Sequence, residues 1–111
     1  MKLYHGTSKA AYEKISGAKE GLKAVDRGFV HLTDSFDAAL DYAQSRASSD
    51  KSDPVVLAVT LPDFQWQPNG TPAPPFSEDS WHRDSGMPGE AWVYDADIAY
   101  NKIIVVQGRQ S

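Results

Sequence analysis

The sequence predicts a single α+β domain, and three observations carry that reading. In the first half of the chain, strand-like apolar runs are interleaved with two segments of helical periodicity. Two further strand-like runs close the chain with no helix between them, which sets this order apart from a doubly wound βαβ arrangement. The length, 111 residues with 41% hydrophobic content, suffices for one core. Two cores would have about 55 residues each, near the limit for independent folding.

Met1 to His5 reads as a short strand, broken by Gly6-Thr7-Ser8. Ser8 is a good N-cap for a helix from Lys9 to Ser16, with Ala11, Tyr12 and Ile15 on one face and Gly17 and Gly21 as its stop. Gly28 to Thr33 (GFVHLT) alternates and is rich in β-branched and aromatic residues, so it predicts a strand. Asp34 or Ser35 then caps a helix over Ala38 to Ala43, with Phe36, Ala39, Leu40 and Ala43 expected toward the core. Ser48 to Pro54 is a polar loop, and Val55 to Leu61 is apolar enough for a central strand. Six of the seven prolines lie between Pro62 and Gly89, a long loop in which Phe64, Trp66 and Trp81 argue for order. Ala91 to Tyr94 and Lys102 to Val106 are the closing strands. The expected order is β-α-β-α-β-loop-β-β.

Composition removes several classes of function. The chain has no cysteine, which excludes disulfide scaffolds, thiolate zinc sites, iron–sulfur clusters and cysteine nucleophiles. Its net charge is −4 and its eleven Lys and Arg are scattered, so no basic stripe meets a phosphate backbone. The longest apolar run, Val55 to Val59, is far short of a membrane span, and Met1 to Gly6 has no apolar leader. A cytoplasmic protein without a membrane partner is expected. No P-loop, G-x-G-x-x-G or G-x-S-x-G occurs. His5, His31, His82 and Glu90 lack the short spacing of a zinc site, which leaves metal-free chemistry.

Three polar residues stand at the edges of apolar strands. His5 adjoins Gly6, where a main chain can approach a ligand closely. His31 lies within the second strand, with Tyr42 eleven residues on in the following helix. Glu90 enters a strand directly after the long loop.

In order, three segments resemble motifs of the ADP-ribosyltransferase superfamily. Leu3-Tyr4-His5-Gly6-Thr7-Ser8 resembles its first motif, a strand ending in His-Gly-Thr/Ser. Gly28-Phe29-Val30-His31-Leu32-Thr33-Asp34, followed by Ala38-Ala39-Leu40-Asp41-Tyr42-Ala43, is similar to the second, a G-x-x-Tyr-Phe strand leading to a helix with its own tyrosine. Gly89-Glu90-Ala91-Trp92-Val93-Tyr94-Asp95-Ala96-Asp97-Ile98 is similar to the third, which in the poly(ADP-ribose) polymerase branch is an N-E-Y-I-V-Y-D-type strand carrying the catalytic glutamate, and Asn101-Lys102-Ile103-Ile104-Val105-Val106 is similar to the V-K-Y-L-type strand that follows it there. The motifs cover about a third of the chain, and their order spans nearly all of it.

The resemblance implies a small fold of split antiparallel or mixed sheets around an NAD cleft, with two short helices. It implies a compact, toxin-like enzyme of bacterial or phage type, with NAD as substrate and no metal. Such an enzyme cleaves the nicotinamide–ribose bond and passes ADP-ribose to an acceptor, or to water as an NAD glycohydrolase. His5 would bind a ribose hydroxyl, the Gly6 main chain the nicotinamide carboxamide, and Tyr42 the nicotinamide ring by stacking. Glu90 would hold the ribose 2′-hydroxyl and stabilise an oxocarbenium-like transition state. Thr7, His31 and Thr33 complete the expected NAD-binding set, with His31, His5 and Glu90 as the catalytic triad. Trp81, His82, Arg83 and Asp84, just before the glutamate, are the expected acceptor-recognition residues. The acidic balance favours a protein or small-molecule acceptor over nucleic acid.

The chain departs from the family pattern at three points. His31 stands where the polymerase and diphtheria-toxin branches have Tyr, Ala39 where a carboxamide-binding Ser is usual, and Pro88 where arginine-modifying members have Glu or Gln. The histidine is reminiscent of RNA 2′-phosphotransferases, which share the fold but lack the glutamate. A non-catalytic NAD or ADP-ribose-binding module of the same fold is the other alternative.

Overall fold

One register pair, Tyr4 opposite Thr33, joins the two halves of a single sheet. The computed structural model describes residues 1–18, 22, 30–78, 86 and 89–107. Within them the chain runs β1 (Lys2–Ser8), α1 (Lys9–Ala18), β2 (Val30–Thr33), α2 (Phe36–Asp50) and β3 (Pro54–Thr60). It continues through β4 (Phe76–Glu78), β5 (Ala91–Tyr94), a 3-10 turn at Tyr100–Lys102 and β6 (Ile103–Gln107). The sheet order is β4-β5-β2-β1-β3-β6, and every pair is antiparallel.

The α+β class stands, whereas separate or mixed sheets do not. Pairing between Tyr4 and Thr33 keeps all six strands in one ladder, although β1 and β2 share only that one register pair. On its other edge β1 pairs with β3 along its whole length, from Lys2–Thr60 to Ser8–Pro54.

Strand alternation assigns the two faces. Leu3, Val30, Leu32, Val55, Leu57 and Val59 point to the larger core, covered by Tyr12 and Ile15 of α1 and by Leu22, Phe64, Phe76 and Ile98. Tyr4 and Val56 point the other way, where Ala39 and Ala43 of α2 cover them with Phe36 and Leu40. Phe36 and Leu40 are only half-buried, and the wholly buried face of α2 is Ala38, Ala39, Ala43 and Ala47.

Both helix starts follow the sequence. Ser8 Oγ accepts from the Ala11 N–H at 3.1 Å, and Ser35 Oγ accepts from the Ala38 N–H at 3.1 Å. The ends differ from expectation. β1 runs through Gly6 to Ser8 because β3 offers it a continuous partner. Helix α1 continues through Gly17 to Ala18, and Gly21 lies outside the described residues. Helix α2 extends to Asp50 and takes in much of the expected polar loop. Its last turn is held by contacts beyond the helix ladder: Asp50 accepts from Ser8 Oγ and pairs with Arg46 Nε at 3.0 Å. Lys51 then closes the helix in the left-handed region, its N–H donating to Ala47 O.

The long loop is partly built into the sheet. It contains β4, which pairs with β5, and a tight turn in which Gln67 N–H donates to Thr71 O and Ala73 N–H to Gln65 O. Phe64 anchors the segment, with ring centroids 4.6 Å from Phe76 and 4.7 Å from Trp92. Trp66 rests against Phe64 but remains 59% exposed, so it does not serve as a core residue.

At Gly6 the main chain of α2 packs directly against the sheet. A Cβ there would fall 2.1 Å from Ala39 O and 2.8 Å from Ala43 N, both main-chain atoms of a helix that cannot yield locally. Gly6→Ala is therefore expected to destabilise the fold by about 3 kcal/mol, the upper range of core overpacking. Chemical denaturation measures it, and an unchanged midpoint would contradict the close-contact reading.

Candidate active site at the sheet seam

Beyond Tyr4 and Thr33 the described part of β1 makes no further pair with β2. Successive strand residues direct their N–H and C=O to alternate edges, so either His5 or Gly6 directs its main-chain groups into this opening. The His5 side chain crosses it: Nδ1–H donates to His31 O at 2.7 Å. That bond fixes the tautomer, because a carbonyl can only accept. In the neutral ring Nε2 then carries the lone pair, a ready acceptor for a hydroxyl proton.

His5 is half-buried, and its pKa lies below the ordinary histidine value. Desolvation is the main cause; the hydrogen bond to His31 O opposes it, and the nearby His31 and Arg46 reinforce it. His5 is thus kept neutral, the state in which Nε2 accepts.

Glu90 is exposed and sits one residue before β5. Its main chain is held on both sides by the turn that follows β2. The Glu90 N–H donates to Asp34 Oδ1 at 2.9 Å, while Glu90 O accepts from Thr33 Oγ1 at 2.7 Å and from the Asp34 N–H at 3.1 Å. Gly89 precedes it with φ +74, a conformation that suits glycine. A Cβ on Gly89 would also lie 2.6 Å from Asp34 Oδ1.

The alternation of β1 places His5 with Leu3 and Thr7, and that of β5, continued backward, places Glu90 with Trp92, so both belong to the larger-core face. Strand β2 separates them, at about 10 Å across the sheet. His31 alternates with Val30 and Leu32, which places its exposed side chain on the α2 face. It reaches the His5 side through its carbonyl. Thr7 and Thr33 are buried, and Thr33 is committed to Glu90 and to accepting from the Ser35 N–H. Tyr42 is half-buried on α2, one residue before Ala43 at the Gly6 contact. Ala39 is fully buried under that contact.

The geometry therefore joins His5 to His31 and Glu90 to Thr33 and Asp34 by direct bonds. Asp34 is the residue the sequence reading missed in this role; it read there as a helix cap, which Ser35 supplies instead. Trp81, His82, Arg83 and Asp84 lie outside the described residues. Among the described residues no group of three His, Asp or Glu side chains could hold a metal. A separate concavity of about 440 Å³ lies elsewhere, lined by Lys9, Tyr12, Glu13, Ser16 and Val105. It holds none of the candidate residues, and the hydrogen-bonded seam has the stronger claim to chemistry.

The depressed His5 pKa links stability to pH. Between its folded value and the unfolded value of about 6.5, the unfolded chain binds more protons, so stability rises with pH and is lost as pH falls below about 6.5. Asp50, held low by Ser8 and Arg46, stays charged in that window and contributes only in stronger acid. Thermal unfolding between about pH 7 and 5 is expected to show a falling Tm that His5→Asn flattens; parallel profiles would remove His5 as its source. Compared with protein-family models and with curated proteins, the chain matches none.

Proposed function

We propose that the chain is an NAD-dependent mono-ADP-ribosyltransferase or NAD glycohydrolase whose site spans the β1–β2 seam. The observation that carries this reading is the pairing of a neutral, tautomer-fixed His5 with a main-chain-anchored Glu90 on one face. His5 Nε2 accepts from a ribose hydroxyl, and main-chain groups of His5 or Gly6 at the seam meet the nicotinamide carboxamide. Tyr42 is carried by α2, across the sheet from His5 and Glu90, and takes no part in this reading. Cleavage of the glycosidic bond builds positive charge on the ribose carbon as the electron pair leaves with nicotinamide. The Glu90 carboxylate stabilises that charge more in the transition state than in the ground state. An acceptor nucleophile, or water, then forms the new bond to the ribose carbon and gives up its proton.

A binding module for NAD or ADP-ribose is the second reading, and Ala39 favours it. At the position of the family's carboxamide-binding serine, this chain has a methyl group sealed beneath Gly6, with no hydroxyl to offer.

Nicotinamide release from NAD decides between the two. Glu90→Gln is expected to keep NAD affinity and the fold while lowering turnover about 10²-fold, the scale of one lost transition-state contact. Near wild-type turnover in that variant would remove Glu90 from catalysis. Binding of NAD with no release by the wild type would favour the module.

A further inference from the structure

We propose that Asp34 is the positioning residue that aims Glu90, an inference resting on the reading of Glu90 as the carboxylate facing the ribose. Glu90 follows a glycine at φ +74 and precedes a strand of four residues, so little in its own segment fixes its main chain. The restraint comes from the Thr33-Asp34-Ser35 turn. Asp34 acts twice, accepting the Glu90 N–H at its side chain and donating its own N–H to Glu90 O, while Thr33 Oγ1 donates to the same carbonyl. With N–H and C=O both held, only the side-chain torsions of Glu90 stay adjustable.

The turn has a second end. Thr33 Oγ1 accepts from the Ser35 N–H, and Ser35 caps α2. Glu90 is thus referenced to the start of α2, the helix that carries Tyr42. The Asp34 carboxylate is exposed and makes no contribution to the cap, so its side chain is not needed to start the helix. Gly89 leaves the space into which Asp34 Oδ1 reaches.

The test separates positioning from charge and from folding. Asp34→Ala removes the acceptor; Asp34→Asn keeps an oxygen acceptor and removes the charge. Steady-state nicotinamide release from NAD is expected to show a kcat about 10-fold or more lower in Asp34→Ala, with KM within about threefold of wild type, and most of the loss recovered in Asp34→Asn. Amide hydrogen exchange at Glu90 is expected to accelerate in Asp34→Ala and to stay slow in Asp34→Asn. An unchanged kcat in Asp34→Ala, or an Asp34→Asn variant as impaired as Asp34→Ala, would overturn the proposal. If the wild type releases no nicotinamide, the catalytic reading falls and the exchange measurement alone judges the clamp. Slow exchange in wild type and Asp34→Asn with fast exchange in Asp34→Ala would then support it, and equal exchange in all three would overturn it.

Discussion

The close approach of α2 to β1 at Gly6 sets the geometry of everything around the candidate site. With no side chain at Gly6, helix main chain sits directly on strand main chain, and Ala39 and Ala43 seal the contact. Any larger residue would lift the helix. Helix α2 begins two residues after β2 ends, so its height over the sheet also fixes the Thr33-Asp34-Ser35 turn. That turn in turn holds Glu90. Local sterics at one glycine are thereby transmitted, through a helix and three hydrogen bonds, to a carboxylate at the entry of a strand two places away.

The seam follows from the same restraint. Strand β1 is paired fully with β3 on one edge and only through Tyr4 on the other. A sheet opened in this way leaves main-chain groups at its centre without a neighbouring strand, and buried ones require partners. His31 O, though in an exposed residue, is given a partner by the His5 side chain. The bond satisfies a carbonyl and at the same time orients an imidazole, so the structural role of His5 and the chemical role proposed for it rest on one interaction. Its lowered pKa belongs to the same arrangement: burial is the main cause, and the nearby His31 and Arg46 add to it.

What was legible in the sequence was local. Ser8 and Ser35 cap as their positions suggest, because a cap depends on a hydroxyl and an N–H three residues on. The strands at Val30, Pro54, Ala91 and Ile103 follow from β-branched and aromatic runs. What escaped depends on distant partners. The last turn of α2 contains Ser48, Ser49 and Asp50, poor helix formers, and is held by Ser8, 42 residues before Asp50. Strand β4 is only three residues long and exists by pairing with β5. Gly6 reads as a site for ligand approach, whereas helix packing alone already demands it. Asp34 and Glu90 are 56 residues apart, and no spacing pattern announces their bond.

The exposure of Glu90 places a condition on the chemistry. Unit charges 4 Å apart interact by about 1 kcal/mol in bulk water and by about 4 kcal/mol at an effective dielectric of 20. A hundredfold rate effect corresponds to about 2.7 kcal/mol, more than an open carboxylate in water can give. On the proposed reading, Glu90 would acquire its full effect only when water is displaced from it, and the substrate would be the first group able to do that. Ribose and nicotinamide lying over the seam would cover the carboxylate just as charge develops beside it. Fixing the Glu90 main chain in advance complements this: the carboxylate need not reorganise when the substrate arrives, and the cost of ordering it is met in folding. Under that proposal, an exposed acid on a rigidly held main chain is a coherent arrangement for charge stabilisation, in which the protein would supply the aim and the substrate the dry environment.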